Sequence, residues 1–133
     1  MTTYECGDVV LVEFPQSGTP QRKRRPALVV LDIGDADVVL APITTHARAA
    51  RGDYALRDWA ASGLLRPSWV RLAKIVCLEK RDITRHLGRL SAPDHATLIQ
   101  LWHTVYALSP PTTEGSDGQA GTPHSKICLT KDE

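Results

Sequence analysis

Residues 25–44, RPALVVLDIGDADVVLAPIT, decide the fold of this chain. Two apolar runs within this segment, residues 27–33 and 38–44, are rich in β-branched side chains and flank a short polar turn. β-Branched residues favour strands, and two such runs joined by a short turn favour an antiparallel hairpin. Pro26 holds the backbone of Arg25 extended, because the proline ring disfavours the helical region for the preceding residue. The segment therefore predicts a hairpin that carries an arginine near its start.

Further strand patterns lie on both sides of this hairpin. Residues 7–15, GDVVLVEFP, predict a strand that ends at a proline. The stretch between that strand and the hairpin, residues 15–24, is rich in Pro, Gly, Ser and then basic residues, which predicts an exposed loop. Downstream we expect a short strand, a helical turn, one or two bent strands and an edge strand, at residues 54–57, 59–66, 68–80 and 83–90 respectively.

One helix is predicted at residues 91–108. Ser91 is a favourable N-cap, Pro93 is tolerated in the first turn and Asp94 occupies the capping-box position. Apolar side chains recur at helical spacing and predict a face that packs on the sheet: Leu98, Trp102 and Val105, and also His95, Ile99, Trp102 and Tyr106. Five to seven strands and a C-terminal helix predict a mostly β, barrel-like α+β domain.

Composition and length favour one globular domain. The chain has 133 residues, 42% of them hydrophobic and 23% charged, with a net charge of +1. No apolar stretch approaches the roughly 18 residues that a membrane helix requires, and the N-terminus has no signal-peptide pattern. We expect a cytoplasmic protein without membrane contact, with a domain at residues 1–108. Residues 109–133 are poor in apolar side chains and are predicted to be disordered.

Metal-binding patterns are missing from the sequence. The three cysteines, Cys6, Cys77 and Cys128, form no CxxC pair and no zinc-spaced cluster with histidine. Asp32, Asp35 and the neighbouring Asp37 flank the predicted hairpin turn, where aspartate is common. We therefore expect no metal and no cofactor.

Four segments in this order resemble the MazF/PemK family of type II toxin–antitoxin toxins. They are GDVVLVEFP, RRPALVV, LAPIT and GLLRPSWVRLAKI, and the terminal GRLS before the helix fits as well. The resemblance covers about residues 7–108. It implies a small SH3-like or CcdB-like barrel with a C-terminal helix, usually assembled as a homodimer. It also implies an antitoxin whose flexible tail blocks the RNA groove.

The same resemblance implies a metal-independent endoribonuclease that cleaves single-stranded RNA. In that reaction the ribose 2′-hydroxyl attacks the neighbouring phosphorus, which leaves a 2′,3′-cyclic phosphate and a 5′-hydroxyl. Negative charge builds up on the phosphoryl oxygens, and arginine suits their recognition because its planar fork binds phosphate in a bidentate manner. The matching candidates for catalysis are Arg25, Thr44, with Thr45 as a substitute, and Arg71. Candidates for RNA contact are Lys23, Arg24, His46, Ser68 and Lys74.

This sequence departs from the family pattern at the general base. Family members often carry a glutamate or histidine in the loop before the arginine–proline pair, whereas residues 15–24 contain neither. The position two after Arg71, acidic in some members, is Ala73. His46 can exchange protons near neutral pH and is one candidate replacement.

Two non-catalytic alternatives remain open at this point. A toxin of the same fold class poisons DNA gyrase through its C-terminal helix, and that function would require an exposed apolar or Trp-bearing end on residues 91–108. The other alternative is a barrel that binds nucleic acid without cutting it. That function favours aromatic residues interleaved with basic ones, whereas aromatics make up only 5% of the chain.

Overall fold

A computed structural model describes residues 2–16 and 18–111. Seven strands precede one helix: β1 (Asp8–Pro15), β2 (Arg22–Leu31), β3 (Asp37–Thr44), β4 (Asp53–Ala55), β5 (Trp69–Arg71), β6 (Val76–Glu79), β7 (Ile83–Arg89) and α1 (Ala92–Val105). The predicted disorder of residues 109–133 concerns a segment that, from residue 112 onward, lies outside the described residues. No helix in the described ranges is long and apolar enough to cross a membrane.

The strands form one antiparallel sheet in the order β4-β5-β3-β2-β1-β7, and β6 also pairs with β3. This arrangement confirms the predicted mostly β architecture with a C-terminal helix. The sheet is not closed, however, because the strand order begins at β4 and ends at β7 without a pairing between them in the described part of the chain.

Apolar side chains are buried on both faces of the central strands. Val9 and Leu28 pack in the cluster that α1 covers through Leu98, whereas Val10 and Val29 pack in a second cluster on the opposite face. Successive side chains of a strand point to opposite faces, so burial of both faces requires a continuous apolar run. This explains why β1 and β2 show unbroken runs of Val and Leu rather than a polar–apolar alternation.

The predicted loop at residues 15–24 is too long. β2 begins at Arg22, because Arg22, Lys23 and Arg24 extend the ladder opposite Pro15, Phe14 and Glu13 of β1. The strand also ends at Leu31, two residues before the predicted end. There the Asp32 carboxylate accepts hydrogen bonds from the Tyr4 and Gly34 N–H groups.

The later elements agree with the prediction more closely. Residues 68–80 form two short strands, β5 and β6, separated by a 3₁₀ turn at Leu72–Lys74. The expected turn within residues 59–66 has local backbone hydrogen bonds and ends at Gly63, whose φ is +90°. Gly63 also meets β7 closely: a Cβ built on it would lie 2.2 Å from the Leu87 carbonyl oxygen, and one on Gly88 would lie 2.4 Å from that of Ser62.

Helix α1 begins as predicted and ends earlier. The Ser91 hydroxyl accepts the Asp94 N–H at 3.3 Å, which confirms the cap, whereas the helix stops at Val105 rather than residue 108. The predicted apolar face needs one correction, because Ile99 is 45% exposed while Leu101 packs against the core with Leu98 and Trp102.

Candidate functional site

A cleft of about 650 Å³ lies where the ends of β1, β2, β3 and β5 meet. Its walls combine cations with apolar and small polar side chains. The lining residues are Phe14, Pro15, Gln16, Thr19, Lys23, Arg25, Pro42, Ile43, Thr44, Arg48, Arg71, Lys74 and Val76.

The pleat of β2 and β3 explains which side chains reach this cleft. Ala27 faces Pro42 across the two strands, and Arg25 and Thr44 lie two residues further along each strand, on the same face. Lys23 continues that row. Arg24, between Lys23 and Arg25, points to the other face, where its Nε lies 3.4 Å from the Glu13 carboxylate. Arg24 accordingly does not line the cleft.

Positive charge dominates the cleft. Five of its lining residues are basic, and none of the lining residues in the described ranges is acidic. Arg71 is the one member of this basic set that forms an ion pair among residues 2–16 and 18–111, with Nε 3.2 Å from Asp53 Oδ1. The remaining four, Lys23, Arg25, Arg48 and Lys74, form none within those ranges, so their charge is available to an anionic ligand.

The hydroxyl group of Thr44 has a defined partner. Its Oγ1 accepts the backbone N–H of His46 at 3.1 Å. A hydroxyl that accepts one hydrogen bond still has its own proton to donate. Thr44 can therefore donate to an anion in the cleft while the His46 backbone restricts its orientation.

The structure brings five of the eight predicted site residues into one cleft: Lys23, Arg25, Thr44, Arg71 and Lys74. Besides Arg24, two of the predicted residues do not line it. The Ser68 side chain is buried and its hydroxyl donates to the Arg66 carbonyl at 2.8 Å. His46 is exposed just beyond Thr44, and only its backbone N–H bonds to a cleft residue.

Arg48 is a cleft residue that was not predicted from the sequence. It lies in the loop between β3 and β4, where an arginine flanked by alanines has no recognisable pattern. Gln16, Thr19 and Phe14 were likewise missed, because the first two lie in the β1–β2 loop and Phe14 was counted only as part of a strand. Their position in the cleft depends on how the loops fold over the sheet.

The aspartates near the hairpin turn have structural partners. Asp32 Oδ1 accepts the Gly34 N–H at 2.8 Å, and Asp35 Oδ1 accepts the Asp37 N–H at 2.9 Å. Such side-chain-to-backbone hydrogen bonds two residues ahead stabilise turns. None of the three aspartates lines the cleft.

The cleft can bind phosphate and stabilise negative charge that develops on it. Arginine and lysine supply the charge, and Thr44 supplies a neutral donor. No histidine or carboxylate occurs among its lining residues in the part of the chain that the structure describes. The chemistry available within this cleft is therefore electrostatic rather than based on a titrating side chain.

The cleft lies within a segment of the chain that matches a known protein family. A family model described as "PemK-like, MazF-like toxin of type II toxin-antitoxin system" matches residues 5–101, a segment that includes every cleft residue. No curated protein is significantly similar to the chain in sequence.

Several solved structures share the fold. The Mycobacterium tuberculosis toxin MazF-mt6 is 23% identical over 76% of this chain and 97% of its own, with a TM-score of 0.63. An endoribonuclease in complex with its cognate antitoxin, from a mycobacterial species, is 23% identical over 80% of this chain and 97% of its own, with a TM-score of 0.61. MazF in a MazE–MazF crystal from Deinococcus radiodurans is 18% identical, covers 82% of this chain and 100% of its own, and has a TM-score of 0.62.

Proposed function

The chain belongs to the PemK-like, MazF-like toxin family of type II toxin–antitoxin systems, and on that premise we propose that it cleaves single-stranded RNA in the basic cleft. The observation that carries this proposal is the convergence of five cations and the Thr44 hydroxyl in a cleft without an acidic lining residue among those described. A phosphodiester backbone is the ligand that such a surface attracts most strongly. The similar structures include the toxin MazF-mt6 and a mycobacterial endoribonuclease, which is consistent with this function.

The proposed reaction is transfer of the phosphoryl group to the adjacent ribose oxygen. The bond between O2′ and phosphorus forms while the bond between phosphorus and O5′ breaks. A proton leaves the 2′-hydroxyl, another reaches the departing 5′ oxygen, and the products are a 2′,3′-cyclic phosphate and a 5′-hydroxyl. We propose that the reaction requires no metal and no cofactor.

Each of the five predicted residues that line the cleft has a role that its position supports. Arg25, whose backbone is restricted by Pro26, would bind two phosphoryl oxygens and stabilise the charge that grows on them. Thr44 would donate a hydrogen bond to the same phosphate. Arg71, anchored at Nε by Asp53, keeps its two Nη groups for the departing oxygen or the phosphate. Lys23 and Lys74 would hold the neighbouring phosphates of the strand.

Removal of the 2′-hydroxyl proton by a general base is the step at which this chain differs from the family pattern. Because no histidine or carboxylate lines the cleft in the described ranges, we propose that the 2′-hydroxyl loses its proton to hydroxide in the cleft. The cations then supply the rate enhancement by stabilising the five-coordinate phosphorus. Removing one preorganised donor from such a site typically costs about 10²–10³-fold in rate.

Purified protein incubated with mixed single-stranded RNA in excess EDTA tests this function. We expect cleavage that survives chelation and leaves a cyclic phosphate, and about a 10²-fold or larger loss for Arg25→Ala. Arg85→Ala, which removes an exposed charge on β7 outside the cleft, is the matched control and should cleave normally. RNA that stays intact at every protein concentration, or cleavage that stops with EDTA, would refute the proposal.

Two partners are proposed along with the activity. The family and the similar complexes with an antitoxin support binding of a cognate antitoxin that blocks the cleft. An acidic antitoxin segment would compete with RNA for the same cations. We also propose a homodimer in the cytoplasm, which light scattering coupled to gel filtration would detect as twice the 14.6 kDa chain mass.

A further inference from the structure

Asp53 is a buried carboxylate that lies directly behind the cleft. Its side chain is only 1% exposed, and its two oxygens have different partners. Oδ1 accepts the Nε–H of Arg71 at 3.2 Å, and Oδ2 accepts the backbone N–H of Ala50 at 3.1 Å. One side chain therefore connects a cleft cation on β5 with the loop that carries Arg48.

The backbone around Asp53 fixes this arrangement. Asp53 pairs with Arg71 in the β4–β5 register, so the two side chains start from opposite positions on adjacent strands. The preceding residue, Gly52, has φ +91°, and its carbonyl oxygen accepts the Leu72 N–H at 2.9 Å. A Cβ on Gly52 would lie 2.9 Å from that of Ala73, so only glycine allows the β3–β4 loop to lie this close to the 3₁₀ turn.

The ion pair orients Arg71 without neutralising its binding groups. Nε donates to Asp53, whereas neither Nη group forms an ion pair within the described residues. A long arginine side chain loses considerable rotamer entropy when it binds phosphate, and a partner that fixes it beforehand removes part of that cost. Arg71 is 23% exposed, which leaves the end of its guanidinium accessible from the cleft.

We propose that Asp53 is a positioning residue for RNA, which orients Arg71 directly and Arg48 through the Ala50 backbone. This inference rests on the proposed function, since it concerns how the same cleft holds the RNA backbone. Asp53 itself does not line the cleft, so it acts through the two arginines rather than by contact with the substrate.

Asp53→Asn is the informative change, because it keeps the size of the side chain and removes its charge. The asparagine oxygen can accept from Arg71 or from Ala50, but its NH₂ group would face the other donor. We expect about a 10-fold or greater weakening of RNA binding, measured by fluorescence anisotropy with an uncleavable 2′-O-methyl oligonucleotide. A misplaced contact group can cost on this order.

A double-mutant cycle separates positioning from a general structural role. If Asp53 acts mainly through Arg71, Asp53→Asn should weaken RNA binding much less in an Arg71→Ala background. Any loss of affinity that remains in that background would be due to the loop that carries Arg48. An equal loss in both backgrounds would overturn the proposal. Glu13→Gln is the matched control, because it breaks a carboxylate–arginine pair whose arginine points away from the cleft. It should leave the affinity unchanged.

A second measurement keeps the test independent of RNA cleavage. In the ¹⁵N spectrum of the unmodified protein, the Arg71 Nε–H should exchange slowly with solvent, and Asp53→Asn should broaden or shift it. An unchanged signal in a folded variant would overturn the positioning role. If the unmodified protein binds RNA but does not cleave it, the proposed function fails while the cycle still decides the role of Asp53. If Asp53→Asn does not fold, Arg71→Lys, which retains the charge and loses the Nε donor to Asp53, takes its place in the binding measurement and should weaken RNA binding to a similar extent.

Discussion

The hydroxyl group of Tyr54 donates to Oδ1 of Asp94 at 2.7 Å, which joins strand β4 to the first turn of helix α1. The same fully buried carboxylate accepts the Arg57 N–H at 3.0 Å and the Asp58 N–H at 2.9 Å. Asp94 thus satisfies three donors, one from β4 and two from the segment that follows it, while its own N–H is capped by Ser91. This carboxylate attaches the helix to the rest of the fold.

Asp94→Asn should destabilise the protein by about 2 kcal/mol, since hydrogen bonds to a charged acceptor contribute about 1.5–3 kcal/mol each and the amide can replace only some of them. Urea unfolding followed by circular dichroism measures this difference. Tyr54→Phe, which removes one donor and retains the ring, should cost about 1 kcal/mol. If Asp94→Asn is no more destabilising than Tyr54→Phe, the carboxylate does not hold the segment as described.

The stability of the protein should depend on pH through Asp94. Burial opposes ionisation of this carboxyl, but the hydrogen bonds from Asp58, Tyr54 and Arg57 outweigh it and lower the pKa of Asp94 below its ordinary value. A lowered pKa contributes stability that is present above the unfolded-state pKa of about 3.9 and is lost as the pH falls through the folded-state value. Unfolding free energies measured between about pH 6 and pH 2 should fall less steeply in Asp94→Asn than in the unmodified protein. Parallel curves would contradict this assignment.

Gly88→Ala should be strongly destabilising, by about 3 kcal/mol or more, because its Cβ would overlap the Ser62 carbonyl at 2.4 Å and the neighbouring backbone must move. Gly34→Ala is the control. A Cβ there meets nothing within 4 Å, so only the left-handed φ of +96° is penalised, at about 1–2 kcal/mol. Thermal unfolding of both variants compares the two costs, and equal losses would show that the close approach of the two backbones is not tight in solution.

Arg48→Ala should weaken RNA binding and reduce its salt dependence. For single strands, each phosphate contact contributes a slope of about −0.7 to the logarithm of affinity against the logarithm of salt concentration. Removing Arg48 should make the slope shallower by about that amount, whereas Arg85→Ala outside the cleft should leave it unaltered. Titrations of the unmodified protein and of both variants at four salt concentrations give the three slopes. Identical slopes for the unmodified protein, Arg48→Ala and Arg85→Ala would exclude Arg48 from the binding surface.

The cleavage rate should rise with pH without an inflection near neutrality. With hydroxide as the base, the logarithm of kcat/KM should increase with a slope of about 1 between about pH 6 and 8.5. A bell-shaped profile would instead indicate a titrating side chain. His46→Gln, which keeps the backbone N–H that binds Thr44, then shows whether the inflection belongs to His46.

Local patterns were sufficient to predict most of the fold. The valine-rich runs of β1 and β2, the turn before β3 and the Ser91 cap each depend on neighbouring residues, and all of them were predicted. The start of β2 was missed because Arg22 looks like a loop residue until it is paired with Pro15. The open sheet could not be predicted either, since closure depends on pairing between distant strands.

The candidate site was predictable only in part, for a similar reason. Arg25 and Thr44 were predicted from the family resemblance, and the strand period places both on the cleft face, whereas it places Arg24 on the opposite face. Arg48 lines the cleft and Asp53 lies behind it because of a loop that ends at a glycine with positive φ, and nothing in a single sequence indicates where that loop lies. Odd-numbered and even-numbered residues of a basic run on a strand point to opposite faces of the sheet. The face of each residue should therefore be determined before a role is assigned to it.

The position of α1 at the end of the described fold has a consequence for protein synthesis. All thirteen residues that line the cleft precede residue 77, whereas Asp94 and the helix follow them in the chain. The ribosome therefore synthesises every catalytic candidate before Asp94, the carboxylate that holds the β4 segment against the helix. Docking of α1 can therefore occur only after the whole cleft sequence has been made, and a chain terminated between residues 77 and 93 would contain every cleft residue without Asp94.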